Sequence, residues 1–95
     1  MKFSDIIFTS HPHGGVKSRT FFPNGYELSV VASAFAYSTP RTDFDFADDY
    51  EAFEVAVFNQ DGEFVTSQFG FVDDVQGWLT RQEIEELMKS ISEHD

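Results

Sequence analysis

Val16-Lys17-Ser18-Arg19-Thr20-Phe21-Phe22-Pro23-Asn24-Gly25-Tyr26-Glu27-Leu28-Ser29-Val30-Val31-Ala32 is the stretch that decides the fold class. Two runs rich in β-branched and aromatic residues flank Asn24-Gly25. That dipeptide is a strong hairpin signal, because both central residues of a type I′ turn need positive φ. With Asn24 and Gly25 as the two turn residues, Phe21 pairs with Leu28 and Arg19 with Val30. One face then carries Phe21, Leu28, Val30 and Ala32, and the other Ser18, Thr20, Glu27 and Ser29. The reading is an antiparallel pair with one buried and one wet face.

The pattern repeats further along. Phe53, Val55 and Val57 alternate within 50–58, Asp61-Gly62 supplies a turn, and 64–71 returns as a strand. In that register Val57 pairs with Thr66 and Phe58 with Val65. Residues 3–9 read as a short first strand, and Ser10-His11-Pro12-His13-Gly14-Gly15 as a loop. Residues 34–50 are irregular, with a turn at Ser38-Thr39-Pro40-Arg41-Thr42.

The C-terminal segment carries a helix. Thr80 and Glu83 form a capping box, with Leu79 and Ile84 as its hydrophobic staple. Ile84, Leu87, Met88 and Ile91 recur at helical spacing and make one apolar stripe. Glu85 and Lys89 stand in the favourable i,i+4 order. The helix is expected from about Arg81 to Ser92, packed on the sheet. Trp78, just before the cap, is read as a core plug, with anchoring a ligand as the alternative. The whole is one α+β domain over residues 1–95: an antiparallel sheet of four or five strands and one C-terminal amphipathic helix.

Composition excludes several classes. The 95 residues include no cysteine, so there is no disulfide scaffold, thiolate metal site or cysteine nucleophile. No apolar run approaches the roughly 18 residues needed to span a bilayer. Only Ile6-Ile7-Phe8 follows the polar start, so no secretory leader is expected, and the expected location is the cytoplasm. Twelve phenylalanines bring aromatic content to 17%, enough apolar area for a core in a short chain.

The net charge is -11. It is unevenly spread: residues 1–41 sum to +2, whereas 42–80 hold ten acids and no Lys or Arg. Such a balance repels phosphate, so direct non-specific nucleic-acid binding is not expected. Two histidines, His11 and His13, lack a third metal ligand nearby. Asp43-x-Asp45-x-x-Asp48-Asp49 fails the calcium-loop pattern, with Asp48 where glycine is required. No nucleophile elbow or phosphate-cradling loop is present. No enzyme activity, metal or cofactor is expected.

What remains is the acidic segment. Asp43, Phe44, Asp45, Phe46, Asp48, Asp49, Glu51 and Glu54 combine carboxylates with aromatic side chains. If 43–46 is extended, Asp43 and Asp45 project from one face about 6.7 Å apart. Clustered like charges oppose folding, which points to steering toward a basic protein partner, with phosphate-backbone mimicry as one form. Aromatic anchors fit a protein interface. The plain alternative is solubility, with the chain acting as a homo-oligomer, such as a homodimer, through a strand edge or an unburied Phe face.

Phe22-Pro23-Asn24-Gly25-Tyr26-x-x-Ser29-Val30-Val31, Tyr50-Glu51-x-x-Glu54-Val55-Ala56-Val57 and Asp74-Val75-x-Gly77-x-Leu79-Thr80-x-x-Glu83-Ile84-Glu85-Glu86-Leu87 together resemble small acidic proteins of tailed bacteriophages. The resemblance runs from about Gly15 to Ile91 and rests on turns and a helix cap. It carries over no binding residue. It implies a setting, the cytoplasm of an infected bacterium, and a role in binding and disabling a host protein.

Overall fold

The computed structural model describes residues 1–94. Five strands form one antiparallel meander: β1 (Thr9–Ser10), β2 (Val16–Phe21), β3 (Glu27–Ala32), β4 (Phe53–Phe58) and β5 (Gln76–Leu79), side by side in chain order. One helix, α1 (Arg81–Ser92), follows. The fold is α+β, as the patterning predicts.

The first hairpin forms, but one residue out of the expected register. Phe21 pairs with Glu27, Arg19 with Ser29 and Ser18 with Val30. The cause is the turn. Pro23 has no N–H to close a two-residue turn on Tyr26, and its φ, locked near −65°, suits the first central position of a type I turn. The loop is therefore three residues, Pro23-Asn24-Gly25. Phe22 N–H donates to Tyr26 O at 2.8 Å and Gly25 N–H to Phe22 O at 3.0 Å. Gly25 takes the left-handed conformation at φ 92°, the type I turn plus bulge of three-residue hairpins.

The same hydrogen-bond pattern occurs twice more. His11 donates to Gly15 O and Gly14 to His11 O; Asn59 donates to Glu63 O and Gly62 to Asn59 O. A one-residue shift exchanges the faces of a strand. So Phe22, not Phe21, enters the core, Phe21 is exposed, and Ser18 is buried.

The second hairpin is truncated. Phe64 makes an isolated bridge to Phe58, and Thr66–Phe69 then coils as a 3-10 turn. Thr66 reaches Val57 through its side chain instead of as a ladder partner: Oγ1 accepts from Val57 N–H at 2.9 Å and donates to Asp74 O at 2.5 Å. That turn leaves the far edge of β4 to residues 76–79, which sequence reading did not assign to a strand. The expected first strand shrinks to Thr9–Ser10, because Phe3–Asp5 forms a 3-10 turn. There Phe3 N–H donates to Glu85 Oε1 at 2.8 Å. Glu85 is thus used by the N-terminus, and Arg19–Glu27 is the one ion pair among the described residues.

One face of the sheet is core. Val16, Leu28, Val30, Val55 and Val57 meet Ile84, Leu87, Met88 and Ile91 of α1, which are all buried. Thr80 caps the helix as expected: its side chain accepts from Glu83 N–H, and Glu83 accepts from Thr80 N–H. The far end is closed by the first hairpin, where Asn24 Nδ2 donates to Ile91 O at 2.7 Å and His94 O at 3.1 Å. Among the described residues, no helix covers the other face of the sheet. Loop 34–38 folds over one corner of it, with Tyr37 N–H donating to Glu54 Oε1 at 3.3 Å and Tyr37 O accepting from Trp78 N–H at 2.9 Å.

Candidate interaction surface

Residues 42–51 lead into β4 around one buried side chain, Tyr50, which is 1% exposed. Its ring packs on Phe53 at 6.0 Å and edge-on to Phe44 at 5.5 Å. Its hydroxyl accepts from Phe44 N–H at 2.8 Å and donates to Thr42 O at 2.5 Å. A single phenol thus fixes the backbone on both sides of Asp43. The segment is not an extended strand, so Asp43 and Asp45 do not alternate along one as expected.

Asp43 is itself a structural ligand. Its Oδ1 accepts from Ala34 N–H at 2.8 Å, and its carboxylate fills the space where a Cβ on Gly14 would sit, 2.5 Å away. Asp43, Asp45 and Asp49 all act on Tyr50. Burial is the main cause that pushes the phenol above its ordinary pKa; the three carboxylates push the same way, and the hydrogen bond from Phe44 opposes them.

Asp48 and Asp49 lie in a 3-10 turn, Ala47–Asp49. Arg81 at the start of α1 pins that turn. Its Nη2 donates to Ala47 O at 3.0 Å, while its guanidinium lies 5.3 Å from the Phe3 ring and 5.4 Å from the Phe53 ring. Beside the turn runs a groove of about 820 Å³ with an apolar floor of Phe3, Ile6 and Phe8 and a rim that includes Asp48, Arg81 and Glu85. Phe46 is 70% exposed, and Phe44 is held at the surface by Tyr50. Asp45, Asp48, Asp49 and Glu51 are exposed.

The structure therefore gathers Asp43, Phe44, Asp45 and Asp49 about Tyr50, with Phe46, Asp48 and Glu51 beside them in the chain. Glu54 is separate. It projects from the open face of the sheet, opposite to its neighbours Phe53 and Val55 in the core. His11 and His13 sit on a turn where His13 N–H donates to His11 Nδ1 at 3.1 Å. No group of three or more metal-ligating side chains occurs among the described residues, and no helix among them is long and apolar enough to cross a membrane.

Trp78 corrects the sequence reading. It is 54% exposed rather than a core plug, and its backbone stands at φ 57°. Gly77 explains the placement: a Cβ there would meet Tyr37 Cβ at 2.4 Å, so the chain passes under loop 34–38 and turns the indole outward onto Tyr37, 5.2 Å ring to ring. Phe35, 81% exposed, lies in the same loop, and Arg41 stacks 5.4 Å over Tyr37. Sequence reasoning missed this cluster. The Phe35-Ala36-Tyr37 alternation was its only local signal. No family model, curated protein or solved structure matches the chain.

Proposed function

We propose that this chain is a non-enzymatic binding protein of phage origin that docks on a basic protein of its host, including one that handles nucleic acid, and modulates or inhibits it. The observation that carries the reading is the assembly around Tyr50. The Tyr50 hydroxyl braces the backbone at Thr42 and Phe44, Ala34 N–H holds Asp43, and Asp45, Asp49 and Phe46 stand exposed along the same segment. Like charges fixed together oppose folding. A run of carboxylates on a braced segment steers a cationic surface, and an exposed aromatic side chain there supplies an anchor. Interleaved Phe44 and Phe46 favour a protein groove over a pure copy of a phosphate backbone.

A tagged pull-down from nuclease-treated bacterial lysate tests the reading. The intact chain is expected to retain a basic protein at low salt and release it at high salt. Asp45→Lys/Asp48→Lys/Asp49→Lys, which spares the structural Asp43, is expected to retain none. Equal capture by both chains would overturn the proposal.

A further inference from the structure

The open face of the sheet carries a second surface, independent of the acidic segment. Cross-strand register sets its side chains in three rows. The first is Lys17–Val31–Glu54, the second Arg19–Ser29–Ala56, the third Phe21–Glu27–Phe58. Lys17, Val31 and Glu54 are half-buried, and Phe21 is 70% exposed. Phe64 packs on Phe58 at 4.6 Å and extends the third row. At the opposite corner stand Phe35, Tyr37 and Trp78. Exposed aromatic area of this extent on a small chain marks an interaction site.

Charge identifies the occupant. The chain carries -11 overall, yet these three rows hold two cations and two anions. Glu27 is neutralised within the molecule by Arg19. The other pair, Lys17 and Glu54, sits at opposite ends of one row with Val31 between, and one oxygen of Glu54 also accepts from Tyr37 N–H of loop 34–38. We infer that this face binds a second copy of the same chain about a twofold axis running along β3. That operation lays Lys17 of one copy over Glu54 of the other, and Glu54 over Lys17. It also lays Phe21 over Phe58, and Arg19 over the small, buried Ala56. One operator thus pairs opposite charges in the first row and Phe21 with Phe58 in the third, as an isologous interface requires, while on the axis Glu27, buried and held by its own Arg19, faces its twin. Sheets packed face to face stand about 10 Å apart, within reach of lysine, glutamate and phenylalanine side chains. Two copies each carrying net negative charge repel one another, whereas the charges on this face balance. The 3-10 turn 47–49 is tied to α1 through Arg81, on the core side of the sheet, so it stays outside such a dimer and is presented twice.

Sedimentation equilibrium with emission from Trp78, the chain's single tryptophan, tests the inference. The expected result is a mass rising from 10.8 kDa to twice that value, with Trp78 emission moving to shorter wavelength as it does so. Lys17→Glu is expected to leave a monomer, since it sets acid against Glu54 of the other copy. Lys17→Glu/Glu54→Lys is expected to restore the dimer. A monomer from roughly 1 μM to 1 mM with unshifted emission would overturn the inference. So would assembly beyond two copies, dimerisation by Lys17→Glu equal to that of the intact chain, or a charge-swapped chain that stays monomeric. Loss of self-association leaves capture of a basic partner untouched, so the two readings fail separately.

Discussion

Ser18 and Tyr50 show how single polar atoms are handled in this core. Ser18 Oγ is buried and has no hydrogen-bond partner among the described residues. An orphaned buried hydroxyl costs on the order of 1–3 kcal/mol. Ser18→Ala is therefore expected to raise the urea midpoint, by about 1 kcal/mol in stability with m unchanged; a lower midpoint would show that the hydroxyl is satisfied. Tyr50 is the opposite case, with both its donor and its acceptor used. Its neutral form is favoured in the folded chain, mainly by burial. Folded pKa therefore exceeds unfolded pKa, and the stability so gained is complete below about pH 10 and lost as pH rises through the raised value. Tyr50→Phe should be less stable at pH 7 by about 1–2 kcal/mol and should lose stability less steeply above pH 10. Parallel alkaline slopes for the two chains would contradict that assignment.

At the scale of elements, legibility tracked how local the cause was. The helix was fully legible because its cap, staple and stripe lie within thirteen residues, Leu79 to Ile91. The first hairpin was legible in existence but not in register. Asn24-Gly25 signals a turn, whereas Pro23 chooses which turn, and that choice moves Phe21 from core to surface. Residues 64–71 read as a strand because they alternate, yet Thr66 satisfies β4 by its side chain and the ladder ends. Glu85 pairs with a backbone N–H 82 residues away, a distant partner that i,i+4 spacing cannot reveal. The acidic segment was legible as a composition but not as a shape, since its frame is the buried Tyr50. One long-range element contact is testable. Asn24 joins the hairpin tip to the last carbonyls of α1. Asn24→Ala is expected to cost about 1 kcal/mol and to speed amide exchange in the last turn of α1 most. Uniform exchange along the helix would argue against the clamp.

The whole molecule divides its surface by charge and by aromatic exposure. Five of the twelve phenylalanines are exposed, a surplus beyond what the core uses. Phe44 and Phe46 lie in the acidic loop, Phe21, Phe35 and Phe64 around the open sheet face. The two surfaces face different ways: one is fixed to α1 through Arg81 and the other is the side of the sheet that α1 leaves bare. A dimer through the bare side would present two acidic loops to one basic target, and linked sites bind more tightly than either alone where the geometry lets both engage. The account stands on electrostatic docking by the loop, and salt reads it directly. The measurement is the association rate with the captured basic protein across ionic strength, for the intact chain and for Asp45→Lys/Asp48→Lys/Asp49→Lys. Steered association falls steeply with salt. The account predicts a steep fall for the intact chain, and for the variant a slower, nearly salt-independent rate. Identical rates and identical slopes for the two chains would contradict it.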